Sequence, residues 1–297
     1  MELRVLHYFL AVAREQSISA AAQSLHLTQP TLSTQLKALE EELGKQLLVR
    51  GTKGSRKVTL TEEGMILRKR AEEILTLVNK AEEEIAHSDD TVVGTVSIGA
   101  GETDIVRYFA KAARTLQKRY PDIRYQISSG NAEYVLEYLD KGLIDFGLVF
   151  GEVDQRKYQS LPLPAKDTWG VLMRRDSPLA EKEAITPQDL WDKPLLLSHQ
   201  RGGSGALFRW LKRDASQLNV VATYNLVYNA SLLVDEGLGY ALTLDKLIHT
   251  EGTDMCFRPL SPGMEATAAI VWKKYQVFTK AADTFLRCLK EQLPQAG

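Results

Sequence analysis

The sequence predicts a multi-domain α+β chain, with a small helical domain first, one long helix next and a larger two-lobed α/β domain last. Three observations lead there. Residues 2–43 carry apolar side chains at helical spacing, interrupted only by tight turns. Residues 60–85 place Leu60, Gly64, Leu67, Ala71, Ile74, Val78, Ala81 and Ile85 at alternating intervals of four and three, the repeat of a heptad seam. From residue 91 onward short apolar runs alternate with amphipathic stretches, as strands alternating with helices do.

At 297 residues, 44% hydrophobic and 25% charged, with a net charge of −1, the chain has an ordinary globular make-up and room for two or three domains. The longest early apolar run, residues 8–13, stops at Arg14 and Glu15, too short for a signal-peptide core or a membrane span. The expected location is therefore the cytoplasm, with no membrane partner. Cys256 and Cys288 lack CxxC spacing and read as reduced core residues. The near-neutral total conceals a basic strip: residues 43–61 hold Lys45, Arg50, Lys53, Arg56 and Lys57 and no acid, a candidate phosphate-binding surface.

The first helix spans residues 2–14, with Leu3, Leu6, Phe9, Leu10 and Ala13 on its apolar face. Ser19 is the expected N-cap of a short helix over 20–25, whose alanines allow close packing. Leu27 and Thr28 then fall in a turn short enough for a helix-turn-helix corner. In the next helix Leu32, Leu36, Leu39 and Leu43 face inward. Pro30, Thr34, Lys37 and Glu41 face outward, flanked by Thr31, Ser33 and Ala38. Small, polar and partly cationic side chains at such a helix start can reach base edges and phosphate oxygens. A plain helix pair in a core is the alternative for the helices alone. Behind them, residues 45–64 read as strand, glycine-containing basic turn and strand, which favours a nucleic-acid role.

The run FLAVAREQSISAAAQSLHLTQPTLSTQLKALEEELGKQLLVR, followed by VTLTEEG, resembles the N-terminal winged helix-turn-helix of LysR-type transcriptional regulators. The resemblance covers residues 6–64 without a gap. It includes Ala21-Ala22, Gln29-Pro30, Ser33, Leu39-Glu40, Leu43-Gly44, Arg50 and the Leu60-Thr61-x-x-Gly64 exit. It implies that Gln29, Pro30, Ser33 and Lys37, with Thr31 and Thr34 beside them, approach the major groove of double-stranded operator DNA. Arg50 and the wing residues Lys53, Arg56 and Lys57 would contact the backbone. Two departures stand out: Thr34 where the family often has arginine, and Leu48 where it usually has an aromatic residue.

Thr61 can cap the next helix, with Glu62 and Glu63 at its positive end, and the seam along it is the pattern of a two-stranded coiled coil. A helix packed on its own domain is the alternative. A dimer would set two recognition helices on successive groove faces of an interrupted palindrome. The family resemblance implies dimerisation through this linker helix and a tetramer built as a dimer of dimers. It also implies contact with RNA polymerase and a two-lobed effector domain resembling type 2 periplasmic binding proteins. The expected boundaries are 1–60 for the DNA-binding domain and 61–90 for the linker helix and hinge. Lobe I takes 91–161 plus 266–297, and lobe II 162–265.

Within that domain strands are expected at TVSIGAG, RYQISSG and IDFGLVFG, then at PLLLSH, VVATYNLVY, GYALTL and AAIVWKK. Helices are expected at 103–119, 131–141 and 278–293. The stretch from Tyr125 to Leu148 echoes that from Tyr224 to Leu242, each running strand, Asn-Ala, helix, glycine, strand. Asn131 and Asn229 would cap the two helices, with Gly142 and Gly237 ending them. Two such lobes enclose a cleft at strand ends and helix starts. Its candidate residues are Gly101, Glu102, Thr103, Ser128, Ser129, Asn131, Phe150, His199, Gln200, Arg201, Asn229 and Thr243. Each has a capping or surface role as its alternative. Helix-start N–H groups and Arg201 favour an anion, so the expected small-molecule effector is an anionic metabolite.

No catalytic residue, metal or cofactor is expected. GAGETD places Asp104 where a dinucleotide fingerprint needs its third glycine, and RGGSG lacks the Lys-Ser/Thr of a P-loop. His7, His26, His87, His199 and His249 show no metal-ligand spacing, and adjacent Ser198 and His199 would point to opposite faces of a strand. The rival reading is a cytoplasmic small-molecule binding protein with an accessory helical domain and no regulatory DNA target.

Overall fold

Leucines at the expected inward positions close the first core. In α1 (Leu3–Glu15) the buried residues are Val5, Leu6, Phe9, Ala11 and Val12; in α2 (Ile18–Ser24) they are Ile18, Ala21 and Ala22; in α3 (Gln29–Leu43) they are Leu32, Leu36 and Leu39. The computed structural model describes residues 1–51, 57–86, 92–198 and 201–293. The chain divides into two units, Met1–Ala86 and His87–Gly297. Three details of the first unit differ from expectation. The α2 cap is Ser17, whose hydroxyl accepts the Ala20 N–H, because buried Ile18 must already lie in the first turn. Leu3 and Leu43, at the outer ends of their helices, are exposed.

After Gly44, which ends α3 in a left-handed conformation, Leu47 and Leu48 tuck into the core. The strands β1 (Leu48–Arg50) and β2 (Val58–Leu60) pair antiparallel, Leu48 opposite Leu60 and Arg50 opposite Val58. Thr61 accepts the Gly64 N–H and so caps α4 (Glu62–Ala86). Gly64 is required there: a Cβ would lie 2.2 Å from the Leu47 carbonyl oxygen. The first half of the heptad seam turns out to face its own unit, since Ala71 and Leu75 pack with Leu6 of α1, and Leu67 and Ile74 lie beside them. Met65, Ile66, Leu77 and Ile85 stay exposed on α4.

The second unit is built on one continuous sheet. Its strands are β3 (Gly94–Ala100), β4 (Ile123–Ser129), β5 (Phe146–Phe150), β6 (Tyr158–Arg174), β7 (Leu195–Ser198), β8 (Val220–Tyr224), β9 (Tyr240–Leu244), β10 (Met255–Pro259) and β11 (Glu265–Lys273). The order is β4-β3-β5-β11-β6-β9-β7-β8, with β10 also on β6. The helices are α5 (Arg107–Arg119), α6 (Ala132–Asp140), α7 (Arg201–Leu211), α8 (Val227–Asp235) and α9 (Lys280–Glu291). Two parallel-rich halves share β6: its first residues pair with β11 and its last with β9 and β10. The expected lobe boundaries fall inside β6 and at the start of β11. Neither β6 nor β10 was foreseen as a strand.

Side chains alternate between the faces of each half. In the first half Ile98, Phe146, Leu148 and Ile270 join Phe109 of α5 and Phe285 of α9, while Val149 and Val271 join Val135 and Leu139 of α6. In the second half Val171, Met173, Leu195 and Leu197 meet Leu207 and Leu211 of α7. There Leu172 and Leu196 meet Ala230 and Val234 of α8 on the other face. Helices on both faces leave the strand ends of the two halves as the open edge where turns from both can converge.

Candidate functional site

The outward face of α3 in the first unit is polar and short-sided. Thr28 caps the helix, its hydroxyl 3.4 Å from the Thr31 N–H and 2.8 Å from the Thr31 hydroxyl. Gln29, Pro30, Thr31, Thr34 and Lys37 are exposed, and Ser33 is half-buried. The Thr34 hydroxyl donates to the Pro30 carbonyl at 2.9 Å, so at the position where arginine would project the side chain is folded back on its own helix. Lys37 lies 3.5 Å from Glu41 across one turn, an exposed pair that leaves the ammonium available to solvent.

The wing is held to α3 by Glu40. One of its carboxylate oxygens accepts the N–H of Leu47 at 2.7 Å and that of Leu48 at 3.0 Å. Lys45, part of the basic strip, pairs with Glu63 at 3.4 Å. The backbone N–H at the start of α4, and then Lys45, hold the Glu63 carboxyl below its usual range. Lys57 is exposed beside β2. Arg50 pairs through its backbone in β1, while its side chain, like Lys53 and Arg56, lies outside the described residues.

In the second unit the turns converge on a cavity of about 320 Å³ between the halves. Of the expected residues, Gly101, Glu102, Asn131, Phe150 and Thr243 line it. Thr103 does not: it is buried, and its hydroxyl donates to the Asp167 carboxylate of β6. Ser128 and Ser129 sit on β4 outside the lining, Ser128 bonding to the Tyr134 phenol. Burial, with the Tyr138 hydroxyl, pushes that phenol up to about 12. Asn131 caps α6, its side-chain oxygen 2.8 Å from the Tyr134 N–H. Asn229 corrects the expected echo. It lies inside α8, exposed and away from the cavity, because that helix starts at Val227. His199 and Gln200 lie outside the described residues, as does the side chain of Arg201, whose backbone opens α7.

Sequence reasoning missed much of the lining, including Trp169 of β6, Tyr224 and Asn225 at the end of β8, and Val227. Tyr224 donates to the Leu242 carbonyl at 2.6 Å. Burial pushes its phenol up to about 12, the nearby Glu102 charge adding to the effect, so it stays a neutral donor. Trp169, Phe150 and Tyr224 provide aromatic surface, while Asn131, Asn225 and Thr243 offer polar atoms, the mixture of a small-molecule site. Among the described residues no group of three His, Cys, Asp or Glu side chains could hold a metal ion, and no helix is long and apolar enough to cross a membrane.

Comparison with known proteins gives a family match over each of the two units. Residues 89–294 match the family described as the LysR substrate binding domain, and residues 3–65 match the bacterial regulatory helix-turn-helix protein, lysR family. The Hca operon transcriptional activator HcaR of Escherichia coli (strain K12) is 30% identical over 301 residues, 99% of this chain and 98% of its own. The HTH-type transcriptional regulator BsdA of Bacillus subtilis (strain 168) is 38% identical over 145 residues, 49% of each chain. Full-length CbnR, solved complexed with its target DNA, has a TM-score of 0.74 at 20% identity, covering 98% of this chain and 99% of that one, a likeness of fold.

Proposed function

The chain belongs to the LysR family of transcriptional regulators, and from that premise we propose that it reads an interrupted palindrome and answers to a small anionic metabolite in the cleft of its second unit. It is a DNA-binding regulator and not an enzyme. The observation that carries the DNA reading is the exposed start of α3, where Gln29, Pro30, Thr31 and Lys37 stand clear of the core while Glu40 fixes the wing behind them. Ser33 and Lys37 take the base-reading role, and Arg50, Lys53, Arg56 and Lys57 the phosphate role.

Dimerisation uses apolar side chains of α4 that α1 leaves uncovered, Ile66 and Leu77 on one side of the helix and Ile85 further along the heptad seam. Pairing of such dimers into a tetramer, contact with RNA polymerase and a cytoplasmic location complete the reading. For the effector, support comes from the cavity itself: the starts of α6 and α8 border it, and its mixed aromatic and polar lining suits a compact organic anion. Occupancy then shifts the two halves and, through them, the spacing of paired DNA-binding units.

Selection of fragments of the source genome by the full-length protein tests this directly. Recovery of one interrupted palindrome beside an operon is the expected result, and the enzymes encoded there would indicate the effector. No enrichment at low salt, with metabolite extract added, would favour a binding protein without a regulatory DNA target.

A further inference from the structure

A hydrogen bond crosses the cleft. The Glu102 carboxylate, on the loop that follows β3, accepts the backbone N–H of Val227 at 2.5 Å. The partners are 125 residues apart and belong to opposite halves of the sheet, yet both line the cavity. Val227 is the first residue of α8, so its N–H has no partner within the helix, and the residue before it, Leu226, offers no side-chain cap. Glu102 supplies that cap from across the cleft.

The loop carrying Glu102 has a fixed base. Neighbouring Thr103 is buried and tied to Asp167 of the shared strand β6, and its oxygen also accepts the Ile105 N–H at 3.0 Å. Glu102 itself is half-buried and faces the cavity. The charged side chains among the described lining residues are Glu102, Glu133 and Glu265. Glu265 pairs with Lys166 at 2.5 Å, and Glu133 is exposed at the rim. Of the three, Glu102 is therefore the carboxylate that is half-buried in the cleft.

We propose that Glu102 is the latch of the effector cleft and sets its charge preference, holding the two halves together until a bound molecule displaces its carboxylate from Val227. The charge half of this inference rests on the reading of the effector as an anion; the latch half does not. An anionic effector meets the Glu102 charge on entry, so its affinity is set by the cost of moving that carboxylate aside. Release of the contact frees the start of α8 and lets the halves rearrange, which couples occupancy to movement. A ligand that bound both arrangements with equal affinity would shift neither.

The test uses the full-length protein with Glu102→Gln, which keeps an acceptor without charge, and Glu102→Ala, which removes both. Phenylacetate and phenethylamine serve as probes, because they share a ring suited to Trp169 and Phe150 and differ in charge. Amide exchange at Val227 should rise at least tenfold in Glu102→Ala and stay within about threefold of wild type in Glu102→Gln. Calorimetry should show phenylacetate binding Glu102→Gln at least tenfold more tightly than wild type, and phenethylamine binding it more weakly. Unchanged exchange in Glu102→Ala overturns the latch. Phenylacetate binding no tighter to Glu102→Gln overturns the charge role. Protection of Val227 by Glu102, together with binding of the amine alone to every variant, would uphold the latch and overturn the anionic effector.

Discussion

Glu40 is the residue on which the wing geometry should depend most. Its carboxylate holds the N–H groups of Leu47 and Leu48, two residues whose side chains are 2% and 1% exposed in the core. A single side chain on α3 thus sets the direction in which the chain enters β1. Hydrogen bonds to a charged group contribute about 1.5–3 kcal/mol each. Because Glu40 is only half-buried, water screens the pair, and the lower end of that range puts the loss in Glu40→Ala at roughly 3 kcal/mol. With 1.4 kcal/mol to each factor of ten, local opening should rise on the order of 100-fold. Glu40→Gln, which retains an acceptor, should lose about half as much free energy. Amide exchange at Leu47 and Leu48 in the full-length protein measures the opening. Anisotropy with a selected operator fragment should show several-fold weaker binding, because the wing no longer sits at a fixed angle to α3. Exchange in Glu40→Ala within about threefold of wild type would refute the reasoning.

Gly64→Ala forces a Cβ to within 2.2 Å of a backbone oxygen that cannot move aside, so the denaturation midpoint of the first unit should fall by the equivalent of about 2–3 kcal/mol; an unchanged midpoint would mean the α4 start is free to shift. Asp167 is buried, and burial first, then the Asp245 and Asp104 charges, raise its pKa despite the Thr103 hydrogen bond. A raised folded-state pKa gives stability that is complete below the ordinary carboxylate value of about 3.9 and is lost as pH rises through the folded value. Asp167→Asn should therefore melt higher than wild type at pH 7, the gap closing toward pH 4; a gap that ignores pH would count against the buried charge. On the DNA side, Arg50→Ala should weaken binding to every sequence and reduce the salt slope by about one contact, whereas Lys37→Ala should change sequence preference in a randomised-site selection. Equal losses on all sequences for both variants would contradict the assigned roles.

What could be read in advance was whatever repeats along the chain. The leucine spacing of α3, the buried run of β5 and the glycines at positive φ after α6 and α8, Gly142 and Gly237, all carry local signals. The α4 seam shows the limit of such signals, because a four–three spacing suits a helix packed on a neighbour as well as one packed on a second copy. Ala71 and Leu75 pack with α1 of the same chain. Strand β6 went unread because Pro162, Pro164 and Asp167 break its pattern. Pro162 and Pro164 stand at the segment whose register with β11 shifts between Thr267 and Ala269, and Asp167 follows it opposite Ala266, so the interruptions belong to the passage of one strand from the first half to the second. The cleft follows the same logic. Gly101, Glu102 and Phe150 follow or end predicted strands and were accessible to inference, whereas Trp169 comes from the middle of that unread strand. Asn229 was misplaced for a reason no local rule contains. The Asn-Ala pair that caps α6 recurs in α8, but there the cap comes from Glu102, 125 residues earlier in the chain, and the helix begins three residues sooner. A cap borrowed from the opposite half is invisible in sequence because it exists only when the halves are together, and the same dependence makes it a contact that a ligand can break.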